Sequence, residues 1–300
     1  MKSSLAEPAI SDGALTDIQK NAVAGLLRSG LAVLAFAITE DFIRDRTAEV
    51  LRGFVSPNIK FTNLSDLLQH AVTISALKGI LFRSEFQDKS NKITWILGEL
   101  APIANLQNDI TNLSSYSFGH TRSNLTYKDI TEILSAFGVD GGWSTLSIIA
   151  KRIGLGGAID YSQAFKELAN RRHRAAHSIK AQIPLNDLND SINIILGICS
   201  AFDILLSQSL SDHNSGKLPN KANGYVSPKN ILLRFISPHP TYTGKFREQT
   251  EIHVSNTFHT HKVYATLADA ESEVGIKAKA LKEQLVFLKS NGIPERWETW

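Results

Sequence analysis

Apolar residues recur at helical spacing through the first two thirds of the chain. Between Asp17 and about Gly53 they include Ile18, Leu26, Leu34, Ile38, Ile43 and Leu51, which predicts an amphipathic helical stretch with a kink or break at Ser29-Gly30. A second helix is expected from Leu64 to Phe82, with Asn63 or Ser65 as N-cap, and a third from Ile93 to about Ile110, bent at Pro102. Residues 112–124 are rich in Ser, Asn and Gly and read as loop. Thr126-Tyr127-Lys128-Asp129 then has the form of a capping box for a helix through Phe137, stopped by Gly138. A short helix holding Leu146, Ile148 and Ile149 precedes a helix from about Tyr161 to Ser178. After Pro184, Asn186 or Asp187 caps a strongly apolar helix running through Ile195, Phe202 and Leu206.

This pattern gives a mainly α fold, an antiparallel helical bundle over residues 15–210 behind a flexible stretch 1–14. Residues 211–230 have linker composition. Residues 231–300 read as a small α+β domain of ββα type: strands Ile231 to Ile236 and Glu251 to Val263, then a helix from Leu267 to Lys289. Composition narrows the picture only modestly. The 43% hydrophobic content suits a globular protein, and a formal charge of +3 permits nucleic-acid contacts without requiring them. Cys199 is the single cysteine, so neither an intramolecular disulfide nor a cysteine metal cluster is available. Met1 to Gly13 lacks the apolar run of a signal peptide. The apolar stretch Ala22 to Thr39 contains Arg28 and runs into Glu40-Asp41, so a cytoplasmic protein without a membrane span is expected. Neither Gly141-Gly142 nor Gly154-Leu155-Gly156-Gly157 has the spacing of a phosphate cradle.

The informative anomaly is a charge in a core-facing stripe. At 100° per residue, Phe165, Leu168, Ala169, Ala175, Ala176 and Ile179 lie within about 60° of Arg172. A guanidinium there keeps its proton, so it must be paired with a carboxylate or line a polar cleft completed by a ligand or partner. The same helix carries Asn170-Arg171-Arg172-His173-Arg174-Ala175-Ala176-His177, an Arg followed by a polar residue, three residues and a His.

In these residues the chain resembles the HEPN ribonucleases. Residues 30–46, with Leu31 to Phe36 leading to Glu40-Asp41-Phe42-Ile43-Arg44, look like the first helix of the RiboL-PSP-HEPN subgroup; Ser123-Asn124-Leu125 through Phe137-Gly138-Val139 looks like its segment ahead of the motif. The resemblance covers most of residues 15–210 and none of the tail. It implies a metal-independent endoribonuclease without cofactor, working as a homodimer whose two motifs share one cleft and leaving a 2′,3′-cyclic phosphate. Arg172 and His177 would be catalytic, and Glu40 and Asp41 would orient Arg172. A toxin or antiphage role, with an antitoxin or regulatory partner, follows from the same resemblance. A non-catalytic module that binds RNA or nucleotides and dimerises is the alternative.

Chemistry independent of the resemblance agrees on the central pair. Histidine titrates near neutrality and serves as base or acid, and arginine grips a phosphate through paired hydrogen bonds. One histidine does not readily occupy both sides of an in-line displacement, and in a straight helix His177 lies about 140° round from Arg172. Asn170, Arg171, His173 and Arg174 are candidates for substrate contact, or else an ordinary solvated helix face. His173 and His177 at i, i+4 could form a zinc pair, but Arg174 stands where a metalloprotease motif has Glu. In the tail, His253, Ser255, Thr257, His259 and His261 alternate along one strand face, more simply read as exposed polar positions than as a metal site.

Overall fold

Gly30 does not break the first helix. In the computed structural model, which describes residues 8–55, 59–157, 159–178, 183–219, 224–252 and 257–300, α1 runs unbroken over Ile18–Arg52. A mid-helix glycine costs about 1 kcal/mol relative to alanine, too little to interrupt a helix whose inner face carries Phe36, Ile43 and Leu51 into the core. Ile179, His253 and Ser255 lie outside the described residues.

Ser65 caps the next helix, accepting from Leu68 N–H at 3.2 Å. That helix comprises α2 (Asp66–His70), a π-helical turn (Ala71–Ser75) and α3 (Ala76–Ser84). Helix α4 (Lys92–Ala104) ends two residues after Pro102, earlier than the apolar pattern predicts. The capping box at Thr126 and Asp129 opens α5 (Tyr127–Ala136), with Gly138 at φ 71° behind it. Helix α6 (Trp143–Ala150) continues as a π turn to Leu155. The motif helix is α7 (Tyr161–His177), and α8 is Leu185–Asn214. Pro184, not Asn186 or Asp187, occupies the N-cap of α8, where no side chain caps. The helix starts directly after the proline because proline's fixed φ suits a helix entry.

The tail departs further from its ββα expectation. It is a five-stranded sheet ordered β3-β2-β1-β4-β5, with β1 (Leu233–Pro238) parallel to β4 (Gln284–Leu288) across helix α9 (Leu267–Leu281) and the other pairs antiparallel. The stretch expected as one strand, Glu251 to Val263, is the end of β2 (Phe246–Ile252) and most of β3 (Thr257–Tyr264). The long helix expected to Lys289 stops at Leu281, where Lys282 adopts a left-handed conformation at φ 57°. Its last predicted turns become β4, and β5 is Pro294–Glu298. The apolar run Gln284 to Leu288 is too short for its periodicity to separate a strand from a helix.

One face of this sheet packs α9 through Ile236, Leu285 and Phe287; the other puts Phe235 and Val286 into the same core cluster as Phe36, Phe137, Phe165 and Phe202 of the bundle. Polar contacts tie the two parts together as well. Asp203 of α8 accepts from Arg46 Nε at 2.5 Å and from Trp297 Nε1 at 2.6 Å. Arg152 donates to Glu251 at 2.6 Å and to the carbonyls of Pro228 and Ile231. The latter half of the expected linker is held too, since Val226 is buried and bridges to Val139.

Helices α1 and α8 are both long and apolar enough to cross a membrane by length and composition. The apolar window of α8 is 67% buried inside the fold and that of α1 39%. The stretch Ala22 to Thr39, read from sequence as too charged for a span, lies inside α1 and passes that test by length and composition alone.

Candidate functional site

Helix α7 begins where Asp160 accepts from Gln163 N–H at 3.1 Å. Its inner stripe then enters the core, with Phe165 5.5 Å from Phe36 and 5.8 Å from Trp143 between ring centroids, and Leu168 buried below. One turn on, the stripe reaches Arg172. It is half-buried, and its guanidinium makes no hydrogen bond or ion pair among the described residues. Of the two arrangements expected for a buried guanidinium, pairing with a carboxylate is not made among the described residues.

Its charge reaches the carboxyl of Glu40. Burial holds the Glu40 carboxyl above its ordinary range, against the pull of the Leu125 N–H and of the charges on Arg44 and Arg172. Glu40 accepts a short hydrogen bond from Leu125 N–H, and Arg44 Nη2 stands 3.8 Å from it. Arg44 also donates to Gly119 O at 3.0 Å and Ser123 O at 2.9 Å. Helix α1 therefore fixes both ends of the 119–125 loop through Glu40 and Arg44. Asp41 is exposed and stands 3.7 Å from Arg44, directed to that residue and not to Arg172.

The remaining motif residues divide by face. Arg171 turns to α8, with Nε 3.3 Å from Asp187 and Nη1 3.3 Å from Ser191 Oγ. Asn170, His173 and Arg174 are exposed and line an open depression together with Glu167, Arg171 and Asp187. His177 is the exposed last residue of α7, and its ring lies 4.7 Å from that of His173. Arg172 and His177 thus stay on different sides of a helix that remains regular to its end. Arg28 Nε donates to Ile183 O at 2.6 Å, anchoring the entry to α8 against the N-terminal half of α1.

Arg28 and Arg44, both buried, did not stand out in the sequence as candidates. The signal was the same as for Arg172, a guanidinium on the inward side of an amphipathic helix. In the tail, His259 and His261 stack at 4.5 Å, and His261 Nε2 lies 2.8 Å from Thr250 Oγ1. Among the described residues no group of three or more His, Cys, Asp or Glu side chains is placed to hold a metal.

Comparison with curated proteins and with solved structures returned no match. The family model RiboL-PSP-HEPN matches residues 5–208, taking in α1, the 119–125 loop, the motif helix and nearly all of α8. A match over more than half of the sequence, enclosing every element that surrounds Arg172, means that the chain belongs to the RiboL-PSP-HEPN family.

Proposed function

We propose that the chain is a metal-independent endoribonuclease. The observation that carries this reading is Arg172, a half-buried guanidinium without an ion pair among the described residues, five residues before the exposed His177 on the same helix. In the proposed reaction an imidazole takes the proton of a ribose 2′-hydroxyl, the 2′-oxygen attacks the adjacent phosphorus, and the bond to the 5′-oxygen breaks as that oxygen receives a proton. The products are a 2′,3′-cyclic phosphate and a free 5′-hydroxyl. Arg172 holds the phosphate and offsets the charge that builds on its oxygens. Glu40 shares the local field with Arg172 and holds the 119–125 loop at Leu125.

A single His177 supplies one proton-transfer group, so the enzyme works as a homodimer in which two motifs face one RNA strand. Asn170, His173 and Arg174 contact the RNA on either side of the scissile bond, and Arg171 keeps the helix seated on α8. The biological setting that fits is cytoplasmic: a toxin or antiphage effector restrained by an antitoxin or regulatory protein.

A non-catalytic RNA-binding dimer is the second reading. It is favoured by one feature, the divergence of Arg172 and His177 around a regular helix. The deciding experiment is cleavage of total cellular RNA in EDTA by the wild type, Arg172→Ala and His177→Ala, with end-group analysis. Fragments ending in 2′,3′-cyclic phosphate, reduced at least 100-fold in either variant while folding is retained, support the enzyme. Retained RNA binding without cleavage supports the module.

A further inference from the structure

The N-terminal half of α1 shows a continuous apolar face to solvent. Val23, Leu26, Leu27, Leu34 and Ile38 are each 42–69% exposed, and Gly30 at their centre has none of the described residues within 4 Å of where a side chain would stand. At 100° per residue all six fall within an arc of about 120°. Lys20 lies at the start of the same arc, while Asp41 and Asp45 continue it beyond Ile38, all three exposed. The order along the helix is therefore one positive charge, an apolar seam and two negative charges.

We propose that this face docks on the same face of a second copy, the two α1 helices crossing antiparallel at Gly30. Antiparallel pairing sets Lys20 of each copy near Asp41 of the other, whereas parallel pairing would set Asp41 against Asp41. A solvent-facing glycine in mid-helix sacrifices about 1 kcal/mol relative to alanine, and among the described residues nothing lies within 4 Å of where its side chain would stand. At a crossing point it lets two backbones come close. A lipid surface suits the seam less well, since interfacial helices flank their apolar face with Lys and Arg, and here two acids border it. The need for a second copy rests on the ribonuclease reading; the choice of face does not.

The test is sedimentation equilibrium of the full chain at micromolar concentration. The expected mass is twice the 33.0 kDa of one chain. Leu34→Asp, on a side chain already open to solvent, weakens association at least tenfold with an unchanged circular dichroism melt. Lys20→Glu weakens it as well, and adding Asp41→Lys to Lys20→Glu restores it. A monomeric wild type overturns the proposal. So does a dimer indifferent to Leu34→Asp, or flotation of the wild type with phosphatidylcholine–phosphatidylglycerol vesicles. A dimer that responds as expected but cleaves no RNA refutes the nuclease and leaves the interface standing.

Discussion

His120 sits against Arg83, whose Nε donates to its Nδ1 at 3.3 Å, with the Tyr116 ring 5.0 Å away. Burial, aided by the charges of Arg83 and Arg44, pushes its pKa down to about 4 from an ordinary 6.5. The unfolded chain therefore takes up a proton near pH 6.5 that the folded chain refuses until about pH 4. Stability contributed at this site is complete above pH 6.5 and is lost as pH falls through that window, roughly 1–3 kcal/mol in all. Urea midpoints at pH 7 and pH 5 should differ by less in His120→Asn than in the wild type; an identical difference in both would refute the assignment. The burial that causes the shift arises from the 115–125 loop closing over α1 and α3. Histidine 120 in a Ser- and Gly-rich stretch gives no hint of it in the sequence.

At the scale of elements, α1 acts as the organiser of the site. Its inward face alternates apolar residues with Arg28, Glu40 and Arg44, each committed to a backbone group far along the chain: Ile183 O, Leu125 N–H, and the carbonyls of Gly119 and Ser123. Removing Arg44 strands the buried Glu40 carboxyl and two loop carbonyls. Arg44→Ala should cost about 3–5 kcal/mol in chemical denaturation, and Arg44→Met combined with Glu40→Gln should cost less than Arg44→Ala alone. A loss below about 1 kcal/mol for Arg44→Ala would mean the loop is held by other contacts. The helical periodicity of α1, the capping box at Thr126 and the extent of α7 were legible from sequence, because each depends on residues within a few positions. The partners of the three inward charges were not, because they are supplied 75–155 positions away.

On the scale of the whole molecule, bundle and sheet share one core. Phe235 and Val286 are buried against the helices, and Trp297 joins its indole N–H to Asp203 and its ring to Phe42 at 6.4 Å. Linker composition between residues 211 and 230 suggested two separate units, but composition reports only the connecting chain and not the surfaces it brings together. Trp297→Ala removes a half-buried ring and leaves Asp203 with one donor fewer, so it should cost about 2–4 kcal/mol. That loss should shift a single unfolding transition, followed together by far-ultraviolet circular dichroism and tryptophan fluorescence. Two separated transitions would show that the parts fold independently.

The sequence by itself determined the helical class and the family, and singled out Arg172 and His177 as candidates, since periodicity, capping and a short motif are local patterns. Tertiary structure alone decided that the tail is a five-stranded sheet built into the bundle core. It also decided that Arg171 is taken up by α8 while Arg172 makes no ion pair among the described residues, and that Glu40 and Arg44 hold the 119–125 loop. The physical reason is that strand pairing and the partners of buried charges are long-range choices. Neighbouring residues constrain them weakly, and burial in the finished fold makes each of them decisive.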